Sequence, residues 1–580
     1  MPTPLSAPPS APPDAGMPRS APPRSGAPAH RPALPPLLLA LLAAPWAGGA
    51  MATEITTGEP RLQLRWDNTV KASLASRLKA ADPALLASAN HDDGNRNFGK
   101  GLISQRVDWL SEADLTWDKR LGARLSAAAW HDRAYLSRND NPGFAGGAFP
   151  NQTSASANQF TEATRTVHGR HAEVLDAFAF ARFELGEANG SVRAGHHALV
   201  WGESLFFGTN AVAGGQMPVD VVKLVSVPGT PFKEAIRPVP MLSGQVQLDA
   251  HLTLGAYVQT GWQASRTAAV GSYFSNADPA VDGGERLLTG PSSAAVRDAD
   301  QRPRDGGQWG LQMRLRGDET DYGVYLLNFH AKTPQLVPRL SLLTPPAVPE
   351  PTAVPTGYAM AYQQDIKVLG LSASRTFGDF NVALEASVRH NQDLASTQGA
   401  DASAFAPVAP TDNQDHPGYA VGRTAHLNVS TLATLPETAL WREASLVAEL
   451  AWNRLLSVSR NAAALDPNGT RDGVALRLQL EPTYRGVLPG MDLGVPLGLG
   501  WAPKGSRPLA MSSPNAWIPE GGGDVSIGLN GSYHDSLRFS LSLTHYLGTA
   551  APFNDAANAY SWQQTLKDRD FVSASVRYAF

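Results

Sequence analysis

Asp570-Phe571-Val572-Ser573-Ala574-Ser575-Val576-Arg577-Tyr578-Ala579-Phe580 alternates through its centre. Val572, Ala574, Val576, Tyr578 and Phe580 fall on one face, and Ser573, Ser575 and Arg577 on the other. Successive side chains of a β-strand point to opposite faces, so this segment turns an apolar face to one medium and a polar face to another. A guanidinium at the centre of the polar face calls for water on that side. One such strand proves little, and its recurrence along the chain decides the fold.

The pattern recurs from the other end inward. Leu62, Leu64, Trp66, Asn68, Val70, Ala72 and Leu74 alternate with Gln63, Arg65, Asp67, Thr69, Lys71 and Ser73. Leu311, Met313 and Leu315 alternate with Gln312, Arg314 and Arg316, and Leu537, Phe539, Leu541 and Leu543 with Arg538, Ser540, Ser542 and Thr544. Alternating runs lie near 62–74, 105–117, 121–133, 172–184, 190–199, 242–249, 251–263, 308–317, 320–330, 365–376, 379–390, 423–433, 441–453, 473–482, 490–501, 523–532, 535–547 and 570–580. Most have the ~9–11 residues that a tilted membrane-crossing strand needs. They predict an all-β chain, a transmembrane antiparallel β-barrel of about 16–18 strands, with an even number expected. A soluble sandwich or β-helix also alternates. Two features weigh against it: arginines recur at polar-face centres (Arg65, Arg124, Arg314, Arg477, Arg538, Arg577), and aromatics mark strand ends (Trp109, Trp117, Trp130, Tyr325, Tyr546) as an interfacial girdle requires. The hairpin 523–547 is expected to turn at Gly531.

Composition agrees. Charged residues are 17% of 580, below the ~25% of soluble domains. There is no cysteine, and no run of ~20 apolar residues that would cross as a helix. The net charge of −4 and the lack of basic runs exclude a nucleic-acid binder. Arg19, Arg24 and Arg31, the run Leu37–Ala44 and the small-residue site Ala50-Met51-Ala52 make a cleaved secretory signal over 1–52, with the barrel over 53–580. Met17 would give a more ordinary signal length. The expected destination is a bacterial outer membrane.

Residues 200–240 break the alternation, with Pro218, Pro228, Pro231, Pro238 and Pro240, and 219–225 could form a short helix. Such a segment is either an inward-folded constriction or an exterior loop. Folded inward, Glu203, Lys223, Lys233, Glu234 and Arg237 would form a charged eyelet. Polar stretches at 134–168, 264–306, 331–358 and 391–421 read as surface loops. No G-x-S-x-G or H-E-x-x-H occurs. His168, His171, His196 and His197 with Asp176 and Ser204 could be drawn as a triad, but lumen or loop roles are the simpler reading. Asp92-Asp93-Gly94-Asn95-Arg96-Asn97 has calcium-like oxygen spacing, yet Asp-Gly-Asn turns are commoner, and no catalytic residue, metal or cofactor is assigned.

Several stretches carry a resemblance: Trp66-Asp67-Asn68-Thr69, Asp92 to Phe98, Gly169 to Phe178, Trp201-Gly202-Glu203-Ser204-Leu205-Phe206, Pro218-Val219-Asp220 with Lys223, and Gly271-Ser272-Tyr273-Phe274-Ser275. The chain resembles the proteobacterial outer-membrane family catalogued as domain of unknown function 1302. That resemblance implies a periplasmic partner, an RND-type exporter and a lipid-like or hydrophobic cargo. The terminal strand ending on Phe580 likewise resembles the signal read by the barrel assembly machinery. The expectation is a transport barrel embedded in outer-membrane lipid. A barrel enzyme acting on envelope lipids and an adhesive barrel working through 264–306 and 331–358 are the alternatives.

Overall fold

The computed structural model describes residues 53–55, 57–143, 153–226, 235–344 and 350–580. The expected signal segment 1–52, and Lys233 and Glu234 of the expected eyelet, lie outside the described residues.

Every expected run is a strand, and the number is the upper of the two limits. The barrel strands are β1 (Leu62–Arg77), β2 (Gly101–Trp117), β3 (Leu121–Asp132), β4 (Arg170–Leu185), β5 (Ala188–His197), β6 (Val239–Gln247), β7 (Leu252–Gln259), β8 (Gln308–Arg316) and β9 (Thr320–Phe329). They continue as β10 (Ile366–Phe377), β11 (Phe380–Asp393), β12 (Val421–Leu435), β13 (Glu443–Arg460), β14 (Asp472–Leu488), β15 (Met491–Gly494 resumed by Leu497–Trp501), β16 (Gly523–Tyr533), β17 (Leu537–Leu547) and β18 (Phe571–Ala579). Each pairs antiparallel with its sequence neighbours, and β18 returns to β1 from Thr69↔Ala579 to Arg77↔Phe571, closing the ring. Closure leaves no unpaired edge, the condition for placing backbone polar groups in hydrocarbon. Pro496, which has no N–H to donate, marks the break in β15.

Burial is inverted relative to a soluble protein. Leu311, Leu369, Leu371 and Leu541 are about half exposed on the outer face, whereas Ser372, Ser387, Asn428 and Asn453 are buried inside. Trp109 and Trp117 face outward as expected of a girdle. Trp130, Tyr325 and Tyr546 do not: Trp130 and Tyr325 are buried, and Tyr546 packs on an interior cluster, so the inner loops rather than the lipid interface hold them.

Short connections gather at one end of the barrel. Two of them place consecutive non-glycine residues at positive φ, Asp118-Lys119 and His534-Asp535, the backbone that matches strand twist in tight hairpins. The 523–547 hairpin therefore turns at His534-Asp535, not at Gly531. Gly531 lies within β16, where a Cβ would stand 1.9 Å from the Phe539 ring. All long loops emerge at the other end. Residues 331–358 are not plain loop: Gln335–Leu343 and Thr352–Ala361 join Arg286–Gly290 and Ser293–Arg297 in a second, four-stranded sheet.

Candidate transport lumen and its inward loops

The segment after β5 folds inward. Trp201 packs on Tyr257 of β7 and Tyr325 of β9, with ring centroids 5.1 and 6.4 Å away. Gly202 has φ +100°, and a Cβ there would meet Glu385 Oε2 of β11 at 2.3 Å. That left-handed backbone turns the Glu203 N–H onto Glu385 (2.7 Å), whose other oxygen accepts from Val212 N (2.5 Å). One oxygen of Glu449 on β13 accepts three amides in a row, from Leu205 (3.1 Å), Phe206 (2.5 Å) and Phe207 (2.9 Å). Asn210 bonds His426 (2.9 Å), Asn428 (3.0 Å) and Asn453 (3.1 Å), and Arg389 donates to the carbonyls of Thr209 and Ala211 at 2.9 Å. A loop that leaves β5 and is clamped on β11–β13, well round the ring, has crossed the lumen. A charged acceptor that gathers several backbone donors is the strong kind of hydrogen bond, so the clamp is specific. Beyond it, Val221–Ser226 is helical, with Asp220 accepting from Lys223 N (3.1 Å).

The 264–306 loop is expected on the surface from its sequence, and part of it is not there. Ala268 to Pro279 is buried throughout, and Tyr273 and Phe274 pack with Ala75, Phe98, Tyr135 and Phe571 on the β1–β2–β18 side. Apolar side chains in this loop are more stable against the inner wall than in water, which draws the segment inward. Asp92 to Phe98 docks against it. Asn97 donates to Gly271 O (2.8 Å), Asp93 N to Asp278 (3.1 Å), and a Cβ on Gly94 would fall 2.5–2.6 Å from the Ser275 and Ser272 carbonyls. Arg569, fully buried, bonds Asn95, Ser275 and Tyr273, and Arg77 pairs with Asp568 at 2.8 Å. The two inner loops share one latch: Arg266 bridges Asp220 (2.7 Å) and Glu173 of β4 (2.6 Å).

The expected eyelet is only partly assembled. Glu203 stands half-buried on the inner loop within Coulomb range of Arg314. Lys223 is instead buried at the latch, 3.8 Å from Glu173 and over Trp130, and Arg237 donates to Ala264 O (2.8 Å). These two cations anchor loops, because a buried cation needs a partner that an open eyelet would not supply. By strand parity Arg65, Arg124, Arg314, Arg477, Arg538 and Arg577 share the lumen face. Arg65 pairs with Asp67 (2.8 Å), Arg477 with Asp524 (2.7 Å), and Arg124 with Glu112, Asp114 (3.2 Å) and Asp176 (3.7 Å). Arg538 and Arg577 are cross-strand neighbours, with Lys71 next across the seam. A cavity of about 400 Å³ at the short-turn end is lined by Arg65, Asp67, Glu112, Asp114, Arg124 and Asp535 among others. Sequence reading missed Glu385 and Glu449, although both sit on the polar faces of alternating runs. It also missed Arg266, which gave no signal inside a loop.

The drawn triad is not built. His168 accepts from Ala269 N (3.1 Å), His197 bonds Ser243 (2.7 Å), Asp176 bonds Ser126 (3.1 Å), and the buried Ser204 hydroxyl has no hydrogen-bond partner among the described residues. Asp92, Asp93 and Asp278 do converge: one oxygen from each lies within 4.8 Å of the others, all three buried, an arrangement that could share one cation. Burial pushes Asp92 up to about 7, with Asp278 adding to the rise, and raises Asp278 too.

A closed ring of eighteen strands, apolar outside and polar inside, with loops folded into its lumen, defines a transmembrane β-barrel of the outer-membrane, porin-like class. Residues 33–580 match the family described as protein of unknown function (DUF1302), and the chain belongs to that family. No curated protein matches it. Similar solved structures include Acinetobacter baumannii OccAB1 (11% identity, TM-score 0.40, covering 92% of this chain and 99% of that one). Others are Pseudomonas aeruginosa OpdK with vanillate (10%, 0.37, 89% and 98%) and Salmonella typhi OmpF with daunomycin (9%, 0.34, 91% and 100%). At these scores the likenesses decide nothing about solute, and the barrel assignment rests on the chain's own closed ring.

Proposed function

We propose that the protein is a passive outer-membrane channel for small hydrophilic solutes, narrowed by the loop clamped on Glu385 and Glu449. The observation that carries this reading is that clamp: a loop crosses the lumen and is held on the far wall by five backbone N–H bonds to two carboxylates. Below it the wall is polar, with arginines and acids interleaved, so the lumen sets a size limit more than a charge preference. Osmotic swelling of proteoliposomes in a graded sugar series tests it. A sharp size cut-off that moves up in Glu385→Gln/Glu449→Gln supports the reading, and no sugar entry in either protein sinks it.

A hydrophobic cargo, moved with a periplasmic partner and an RND-type exporter, is a second reading, favoured by one feature. Val239, Met241, Tyr257, Tyr325, Ile366 and Val368 form an apolar inner wall that the crossing loop covers through Val212, Met217 and Trp201. Withdrawal of the loop would uncover an apolar track. The adhesive reading loses part of its surface, since 268–279 is buried. For secretion we keep cleavage after Ala52, which leaves Thr53–Ile55 in the chain to pair with Leu64–Trp66 of β1. Amino-terminal sequencing of the membrane-extracted protein checks this.

A further inference from the structure

The inner wall is hollowed across β14–β17, beside the clamped loop. Arg477 of β14 pairs across the strands with Gly500, and Gly500 with Asp524 of β16, so the guanidinium reaches its carboxylate over a residue without a side chain (2.7 Å). A Cβ on Gly500 would stand 2.8 Å from both partners. The next row of the lumen face, towards the short turns, pairs Gln479 with Gly498 and Gly498 with Ser526. One row further Gly528 pairs with Ser542, and Gly528 N donates to Pro496 O (2.9 Å). Glycine where side chains would otherwise project leaves a cavity of about 150 Å³, lined by Gln479, Ser526, Ser542 and Pro496 on the wall and by Phe206 of the crossing loop. Its volume is that of roughly five liquid waters, the scale of one small ring and not of two. Phe206 is placed there by its amide bond to Glu449, which is paired with Arg477 across β13–β14.

The chemistry of this cavity is polar without being charged. Arg477 is the one ionic side chain among its lining residues, and Asp524 matches it. Gln479, Ser526 and Ser542 enter no side-chain hydrogen bond among the described residues. A hydroxyl or a carboxamide both donates and accepts, so these three suit partners that do the same. Phe206 and Pro496 add apolar ring faces. A ligand that satisfies all of them carries several hydroxyls around a compact ring and presents a C–H face as well. A charged solute gains little from a cation already matched, and Glu481, two residues beyond Gln479 on the same face, disfavours an anion. We infer that the lumen holds a subsite for one neutral sugar ring, its C–H face on Phe206 and its hydroxyls on Gln479, Ser526 and Ser542. The inference rests on the channel reading above and goes further by naming the substrate class and the residues that bind it.

The test is the ion current through single channels of the full secreted chain in a planar bilayer, with D-glucose or triethylene glycol added to both sides. Both additives are uncharged and of similar mass, and only glucose is a hydroxylated ring. Glucose is expected to interrupt the current in a way that saturates with concentration, with a midpoint roughly tenfold or more below that of triethylene glycol. In Gln479→Ala/Ser542→Ala the glucose midpoint rises roughly tenfold, the effect of two lost hydrogen bonds. Openings that glucose leaves uninterrupted, or that both additives interrupt alike, overturn the sugar subsite and leave the channel standing. This comparison needs no variant, so it stands even if the double substitution fails to assemble. A midpoint unmoved by the substitution in an assembled barrel overturns the subsite as well. If the intact protein gives no openings, the channel reading itself falls.

Discussion

At the scale of single residues, the crossing loop depends on two glutamates. Glu449 has one oxygen serving three amide donors, and removing it leaves those donors buried without an acceptor, at about 1–3 kcal/mol for each. Glu449→Ala is therefore expected to release Leu205–Phe207, read as loss of hydrogen-exchange protection at those amides with β13 still protected. Unchanged protection there would mean that the loop is held by packing alone. A second residue-scale effect is pH. Asp92, held near 7, and Asp278, also raised, are disfavoured as anions in the folded junction. Folded values above the unfolded ones mean that their contribution is whole below about pH 4 and is lost as pH rises through about 7. Protease protection of 264–306, normalised to an unfolded substrate at each pH, should fall from pH 5 to pH 8, and Asp278→Asn should flatten the fall. An equal fall in the variant would place the titration elsewhere.

Among elements, strands and loops were legible to different degrees. Alternation is a local property of the chain, so all eighteen strands could be placed, with errors only at ends such as 441–453, which runs on to Arg460. The turn at His534-Asp535 was missed because two non-glycine residues take the left-handed backbone there, while Gly531 is small for the sake of Phe539. What a loop does depends on where distant strands stand in the ring, and no local pattern carries that. Ala268–Pro279 looked like surface because the wall it packs on, near Phe571, lies about three hundred residues away. Several of the stretches that carried the family resemblance turn out to be contact pieces of the inner loops, with Gly94 against Ser272 and Ser275 and Gly202 against Glu385, while Trp66–Thr69 and most of Gly169–Phe178 are barrel strand. Gly202→Ala tests that view. An alanine at φ +100° with its Cβ 2.3 Å from Glu385 Oε2 strains the backbone by roughly 1–3 kcal/mol and pushes that oxygen off Glu203 N. The expected result is a wider channel with unaltered barrel assembly, and a channel of native width would contradict it.

Over the whole molecule, the barrel has an inner wall that carries both signs of charge, with Arg65, Arg124 and Arg477 beside acids and Arg538 beside Arg577. Such a wall focuses no single-sign potential, so ion selectivity should be weak. The reversal potential in a tenfold KCl gradient is expected close to zero, and a strongly cationic or anionic value would mean that the paired arginines or acids separate in the open state. Arg65, Arg124, Arg314, Arg477, Arg538 and Arg577 were read as lumen charges from alternation alone, whereas the division of labour on the loops was not legible. Lys223 and Arg237 stood beside Glu203 as equal candidates, and only the fold separates anchors from a lumen charge.

The most direct test of the central claim is single-channel conductance in a planar bilayer, comparing the full secreted chain with one in which 205–217 is replaced by a short glycine-serine link. Small, steady openings are expected in the intact protein, and a several-fold larger conductance once the crossing loop is gone. Silence in both, with the barrel correctly assembled, or equal conductance in the two, would contradict a lumen narrowed by that loop.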